Sequence, residues 1–178
     1  QGHDLQPLAA YWDIRARLDT APPEEINGFF QRYAGTYYED RLRNDWLLQL
    51  GKNADWPRFL QTLPAYRMKD DREVQCYALQ ASPPVAGTLA AAQQAEQLKT
   101  LWLAQKRVDQ GCASTAGAWL QSHLLPREVV WQRARWAMDY YQPEIATQAV
   151  KLVAPDWVDT VSRIYDAPTK YLDDKLTA

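Results

Sequence analysis

The residues that could carry chemistry are few, and their spacing does not bring them together. The chain has two histidines, His3 and His123, and two cysteines, Cys76 and Cys112. A zinc site asks for about four nitrogen or sulfur donors at short characteristic spacings, which these four do not offer. Ser122 beside His123 is not a nucleophile–base pair, because adjacent helical residues point about 100° apart and a triad is assembled in space. A phosphate-cradling loop needs a preceding strand and a lysine, and the segments around Gly111 and Gly117 have neither. The adjacent carboxylates Glu24-Glu25, Asp70-Asp71 and Asp173-Asp174 read as helix starts or solvated surface rather than halves of an acid/base pair. The expectation is a chain with no catalytic residue, no metal site and no cofactor of its own.

Two patterns remain. Cys76 and Cys112 are either unrelated buried thiols behaving as small hydrophobes, or a disulfide across 35 intervening residues. A bridge of that span would restrict the unfolded chain by about 4 kcal/mol and imply an oxidising compartment. Arg133 and Arg135 alternate with Trp131 and Trp136 along one predicted helix. These four could present cationic and aromatic groups to a glycan or a peptide carboxylate. The simpler reading, favoured by the residues alone, divides them into arginines in solvent and tryptophans in a core.

The elements that would position these residues are helices. The chain has 178 residues, nearly half of them apolar, and a formal net charge of −2. That balance gives no basic stripe for nucleic acid and no acidic tail. No apolar run approaches the roughly 18 residues that cross a bilayer, so no transmembrane segment is expected. No charged-then-apolar leader opens the chain, so an exported protein would already have lost its signal peptide. Gln1-Gly2-His3 reads as an expression remnant with a disordered His3.

Seven glycines and eleven prolines fall mostly between apolar periodic stretches, the punctuation of short helices. Leu8, Tyr11, Trp12, Arg15 and Leu18 trace a first apolar stripe, with Thr20 as a cap for the next helix. Pro22-Pro23-Glu24-Glu25 suits a first turn, leading to Ile26, Phe29, Phe30 and Tyr33 before a stop at Gly35. A third helix spans Tyr38 to Leu50, with Leu42, Trp46, Leu47 and Leu50 on one face and Gly51 as its stop. Asp55-Trp56-Pro57 opens a fourth that runs through Leu63. Further helices are predicted over 71–81, 88–106, 113–124, 127–141, 143–153 and 156–165, followed by a polar end. The expected fold is all-α: about ten helices in an irregular superhelix of stacked hairpins, a solenoid of the tetratricopeptide (TPR) kind. Each hairpin takes about 35 residues, and Trp12–Trp46 and Trp102–Trp136 repeat at one common interval. Those tryptophans read as core wedges before they read as a sugar-stacking platform.

The stretch Leu42 to Leu60 holds an aromatic-rich helix followed by Asp55-Trp56. Gln75-Cys76-Tyr77, Leu101-Trp102-Leu103, Gly111-Cys112 with Trp119 after it, and Arg133-Ala134-Arg135-Trp136-Ala137-Met138 follow in order. This series, over about residues 40 to 140, resembles the N-terminal superhelical region of bacterial soluble lytic murein transglycosylases. The family's counterparts of Cys76 and Cys112 form a disulfide, so the resemblance implies the bridge here. It also implies the periplasm of a Gram-negative bacterium. Those enzymes cleave peptidoglycan between N-acetylmuramic acid and N-acetylglucosamine without water, closing a 1,6-anhydro ring. A glutamate in a C-terminal, goose-lysozyme-like domain acts as acid and then base.

In that domain the glutamate is followed by serine, and Gly-Leu-Met-Gln and Ala-Tyr-Asn-Ala-Gly segments lie downstream. None of these occurs here, and Glu96, mid-helix, is no substitute. The chain is therefore expected to be one superhelical α-domain over residues 1–178, the N-terminal, non-catalytic part of a longer enzyme. Its expected partners are the enzyme's own C-terminal catalytic domain and peptidoglycan glycan strands, with Trp131, Arg133, Arg135 and Trp136 as the contact residues and no nucleic acid. The alternative is a stand-alone helical-repeat adaptor for a peptide or protein partner.

Overall fold

The computed structural model describes residues 5–176, so the expectations placed on Gln1-Gly2-His3 lie outside the described residues. The chain is all-α, with eleven α-helices, two 3-10 turns and no strand among the described residues. Its internal contacts cluster into two compact units, Gln1–Ser82 and Pro83–Ala178.

The first unit holds α1 (Gln6–Ala16), α2 (Pro23–Arg32), α3 (Tyr37–Lys52), α4 (Trp56–Thr62) and α5 (Arg72–Ala81). Proline occupies the opening turn of α1, α2 and α4, where a missing N–H costs nothing. Side-chain oxygens start the other helices. Thr36 accepts from Glu39 N at 3.2 Å, and Asp71 accepts from Glu73 N at 2.9 Å and Val74 N at 3.2 Å.

Helix α3 is the axis of this unit, and α1, α2, α4 and α5 all pack on it. Leu42 closes a cluster with Tyr11, Ile14, Ile26, Phe29 and Phe30, while Leu47 and Leu50 close a second with Phe59, Tyr66 and Val74. Burying one such side chain stabilises the fold by about 1.5–3 kcal/mol.

Three sequence expectations are corrected here. Gly51 does not stop α3 but lies buried inside it, and the backbone turns left-handed at Ala54, φ 54°. The glycine serves packing, because a Cβ at position 51 would run into the Tyr77 ring. Gly35, by contrast, ends the turn after α2 with φ 81°, as expected. Thr20 caps no helix: its hydroxyl donates back to Arg17 O at 3.1 Å, and Pro22 holds the N-cap position of α2. Trp12 points outward, 58% exposed, and the buried stripe of α1 runs through Tyr11 and Ile14.

The second unit holds α6 (Leu89–Leu103), α7 (Gly111–Gln121), α8 (Arg127–Asp139), α9 (Pro143–Val153), α10 (Val158–Asp166) and α11 (Pro168–Leu176). Its axis is α9, flanked by α7, α8 and α10. Ile145, Ala146, Ala149, Val150 and Val153 form its buried stripe and meet Val130, Ala134 and Ala137 of α8. Alanines on both faces let the two backbones approach closely. The α9 C-terminus is capped by Arg127 Nη2, which donates to Val153 O at 2.6 Å. Helix α6 stops three residues short of the expected Lys106. The end read as polar instead forms α11, opened by Pro168.

Candidate functional site

The four residues flagged for ligand contact lie on α8, but the helix turns them apart. Arg133 is fully buried. Its Nη1 donates to Trp102 O at 2.6 Å and Gln105 O at 2.5 Å, and Nη2 reaches Arg107 O at 3.5 Å. The guanidinium carbon lies 5.7 Å from the Trp102 ring and 5.6 Å from the Trp136 ring. Burial pulls the Arg133 pKa down while the charge of Asp109 pushes it back up. Arginine stays protonated under that pull. The side chain thus caps α6 with a full charge and fastens the connection into α7. It has no surface to offer a ligand.

The other three keep some exposure. Arg135 is exposed and paired with Glu128 Oε1 at 2.5 Å. Trp131 is half-buried, as is Trp136, whose ring lies 5.2 Å from that of Tyr140 at 31°. Helical spacing explains the split, because positions 130, 133, 134 and 137 share the buried face. The alternation of cation and aromatic in the sequence does not translate into one surface.

Cys76 and Cys112 are both buried and both disulfide-bonded, and no free cysteine remains. Cys112 opens α7, where its N–H donates to Asp109 Oδ1 at 2.7 Å. The carbonyl of Asp109 accepts from Gln148 Nε2 of α9 at 2.6 Å. The segment that carries this cysteine is therefore held by two side-chain hydrogen bonds in its own unit.

The buried carboxylates are structural. Glu39 pairs with Arg43 and, at 2.8 Å, with Arg67. Burial tends to raise the Glu39 pKa, but hydrogen bonds from these two guanidiniums outweigh it and hold the carboxyl below its ordinary value. A general acid for glycoside cleavage needs a shift in the opposite direction. Asp40 accepts from Arg67 N and Met68 N, each at 2.8 Å. Asn44 accepts from the Tyr66 hydroxyl at 2.7 Å and donates to Asp71 Oδ2 at 3.2 Å. Burial first, and then Asp70, push the Tyr66 hydroxyl pKa well up. Glu96 is exposed and pairs with Lys99 at 3.0 Å.

Among the described residues no cluster of three or more His, Cys, Asp or Glu is placed to hold a metal ion. No helix among them is long and apolar enough to cross a membrane.

Clefts open within each unit. In the second, a groove of about 590 Å³ runs between the small-residue face of α6 (Ala91, Ala92, Ala95) and the α7–α8 turn at His123 and Pro126. In the first, a cleft of about 270 Å³ lies where α2, α3 and α4 converge, lined by Asn27, Phe30, Arg43, Trp46, Arg58 and Gln61 among others. Sequence reasoning singled out Phe30 and Trp46 as core and passed over the polar four. The available signal was the pairing of Asn27 with Phe30 and of Arg43 with Trp46, each at i,i+3 on a shared helix face. Compared with models of protein families, with curated proteins and with solved structures, the chain matches none of them.

Proposed function

We propose that this chain is the non-catalytic superhelical arm of a periplasmic soluble lytic transglycosylase. Its role is to carry the catalytic domain and to help position peptidoglycan glycan strands. The observation that carries the reading is the oxidised state of Cys76 and Cys112, which flank the Leu101-Trp102-Leu103 helix in an all-helical chain. In the family resembled, that cysteine pair is bridged and the surrounding landmarks come in the same order. Disulfides persist in oxidising compartments, so the bond supports export.

Two further features fit a supporting role. The buried carboxylates are engaged in ion pairs and caps rather than poised for proton transfer. Arg133, expected as a ligand contact on α8, is a helix cap.

Reading the gene downstream of codon 178 tests this. A Glu-Ser dipeptide followed by Gly-Leu-Met-Gln and Ala-Tyr-Asn-Ala-Gly segments within a few hundred codons is the expected result. A stop codon close after residue 178 would reject it in favour of a stand-alone helical adaptor.

A further inference from the structure

The cleft where α2, α3 and α4 converge has the chemistry of a carboxylate site. Arg43 is held rigidly there. Its guanidinium carbon lies 4.0 Å from the Phe30 ring centroid, and Nε and Nη2 both donate to Glu39 Oε1. The side chain is 11% exposed, yet Nη1 makes no hydrogen bond with any described residue and is not a buried atom. That edge therefore faces the open cleft.

Charge adds to this. Glu39 is shared between Arg43 and Arg67, two cations for one carboxylate. Arg58 bonds Asp55 through Nη1 at 3.0 Å, leaving its other donors unengaged. Among the described residues no carboxylate lines the cleft. The Trp46 indole N–H and the amides of Asn27 and Gln61 also make no side-chain hydrogen bond to any described residue, and none is a buried orphan atom. The cleft thus presents two guanidiniums, an indole N–H and two side-chain amides with unengaged donors beside an aromatic wall, with the locked guanidinium of Arg43 at its base. Such a set matches a carboxylate, which accepts at both oxygens.

Size sets the body attached to that group. About 270 Å³ is at or below the small end of the usual ligand pocket, enough for one sugar ring or a dipeptide. Trp46 packs against both apolar clusters of the unit, so its ring is a fixed wall on which a sugar face can rest.

We infer that this cleft binds the carboxylate of a small acidic ligand through Arg43 and Arg58, with the ligand's body against Trp46. In the reading proposed above, on which only the choice of ligand rests, that carboxylate belongs to the peptidoglycan strand. It is then either the lactyl group of muramic acid or the C-terminus of a stem peptide.

Proton–nitrogen NMR of the whole chain, titrated with four probes, tests this. N-acetylmuramic acid and D-alanyl-D-alanine distinguish the two carboxylate sources, N-acetylglucosamine is the neutral control, and glucuronic acid is a carboxylate foreign to the wall. The expected result is saturable shifts of the Trp46 indole and the Asn27 and Gln61 amides with N-acetylmuramic acid or the dipeptide. N-acetylglucosamine should give none. Arg58→Gln, at an exposed position, should weaken binding by about tenfold, and Arg43→Gln should abolish it. Asn27→Leu removes one amide from the cleft at an exposed position and should also weaken binding, which keeps the test open should Arg43→Gln fail to fold. Binding of glucuronic acid alone would uphold the site and reject its wall ligand. No shift with any acid, equal shifts with N-acetylglucosamine, or binding unchanged in Arg58→Gln and Asn27→Leu would overturn the site.

Discussion

The two units solve the same packing problem with different materials. Each is built on a central helix, α3 or α9. Around α3 the buried surface is laced with polar groups: the carboxylates Glu39 and Asp40 and the amide Asn44 are all buried. Their partners come largely from the irregular segment between α4 and α5, at Tyr66, Arg67, Met68 and Asp71. Around α9 the contacts are aliphatic, and the buried charge of Arg133 is directed at backbone carbonyls of the α6–α7 connection. In both units buried polar groups fasten a connection between helices. Apolar stripes decide which helices meet, and buried polar groups fix the loops between them.

That contrast can be broken one unit at a time. The largest effect is expected from Arg133→Ala, which strands buried carbonyls and opens a cavity. It should cost about 3–5 kcal/mol, with faster amide hydrogen exchange in α6 and the connection to α7 while residues 5–82 keep their protection. Asp40→Ala comes next. It removes two charge-assisted bonds to Arg67 and Met68 N–H groups and should cost about 3 kcal/mol, with lost protection confined to the segment around 66–71. Gly51→Ala drives a methyl into the Tyr77 ring and should cost about 1–3 kcal/mol, read as a lower urea midpoint at unchanged slope.

The smallest effect is a pH dependence. The folded-state pKa of Glu39 is depressed, so its contribution is fully present above the unfolded value of about 4.3 and is lost as pH falls through the folded value. Glu39→Gln should therefore flatten the acid limb of the stability curve. An unchanged acid limb would mean that the Arg43–Glu39–Arg67 group adds nothing to folding.

The all-α class was legible in the chain because proline and cap residues punctuate a pattern that never alternates. Asp55, Asp71 and Thr88 each cap the helix their position suggested. Misreadings came where a residue has two uses. Gly51 has the composition of a stop, but its lack of a side chain serves the Tyr77 ring across the helix pair, a contact between distant positions. Arg133 and Arg135 look equivalent in sequence. Two positions rotate a side chain by about 200° on a helix, which places one in the interior and the other in solvent. The α2–α3–α4 cleft was not legible as one site, because i,i+3 spacing pairs residues only within a helix, and Asn27, Arg43 and Arg58 meet only once three helices converge. The disulfide was left open by the residues themselves and was expected from the family resemblance.

The proposed function has this chain bind peptidoglycan without cleaving it. Co-sedimentation of the purified, disulfide-intact chain with isolated peptidoglycan sacculi, with mass spectrometry of the supernatant, tests it most directly. The chain is expected to pellet with the sacculi and to release no 1,6-anhydromuramyl product. A chain that stays in the supernatant, or anhydro products in it, would overturn that proposal.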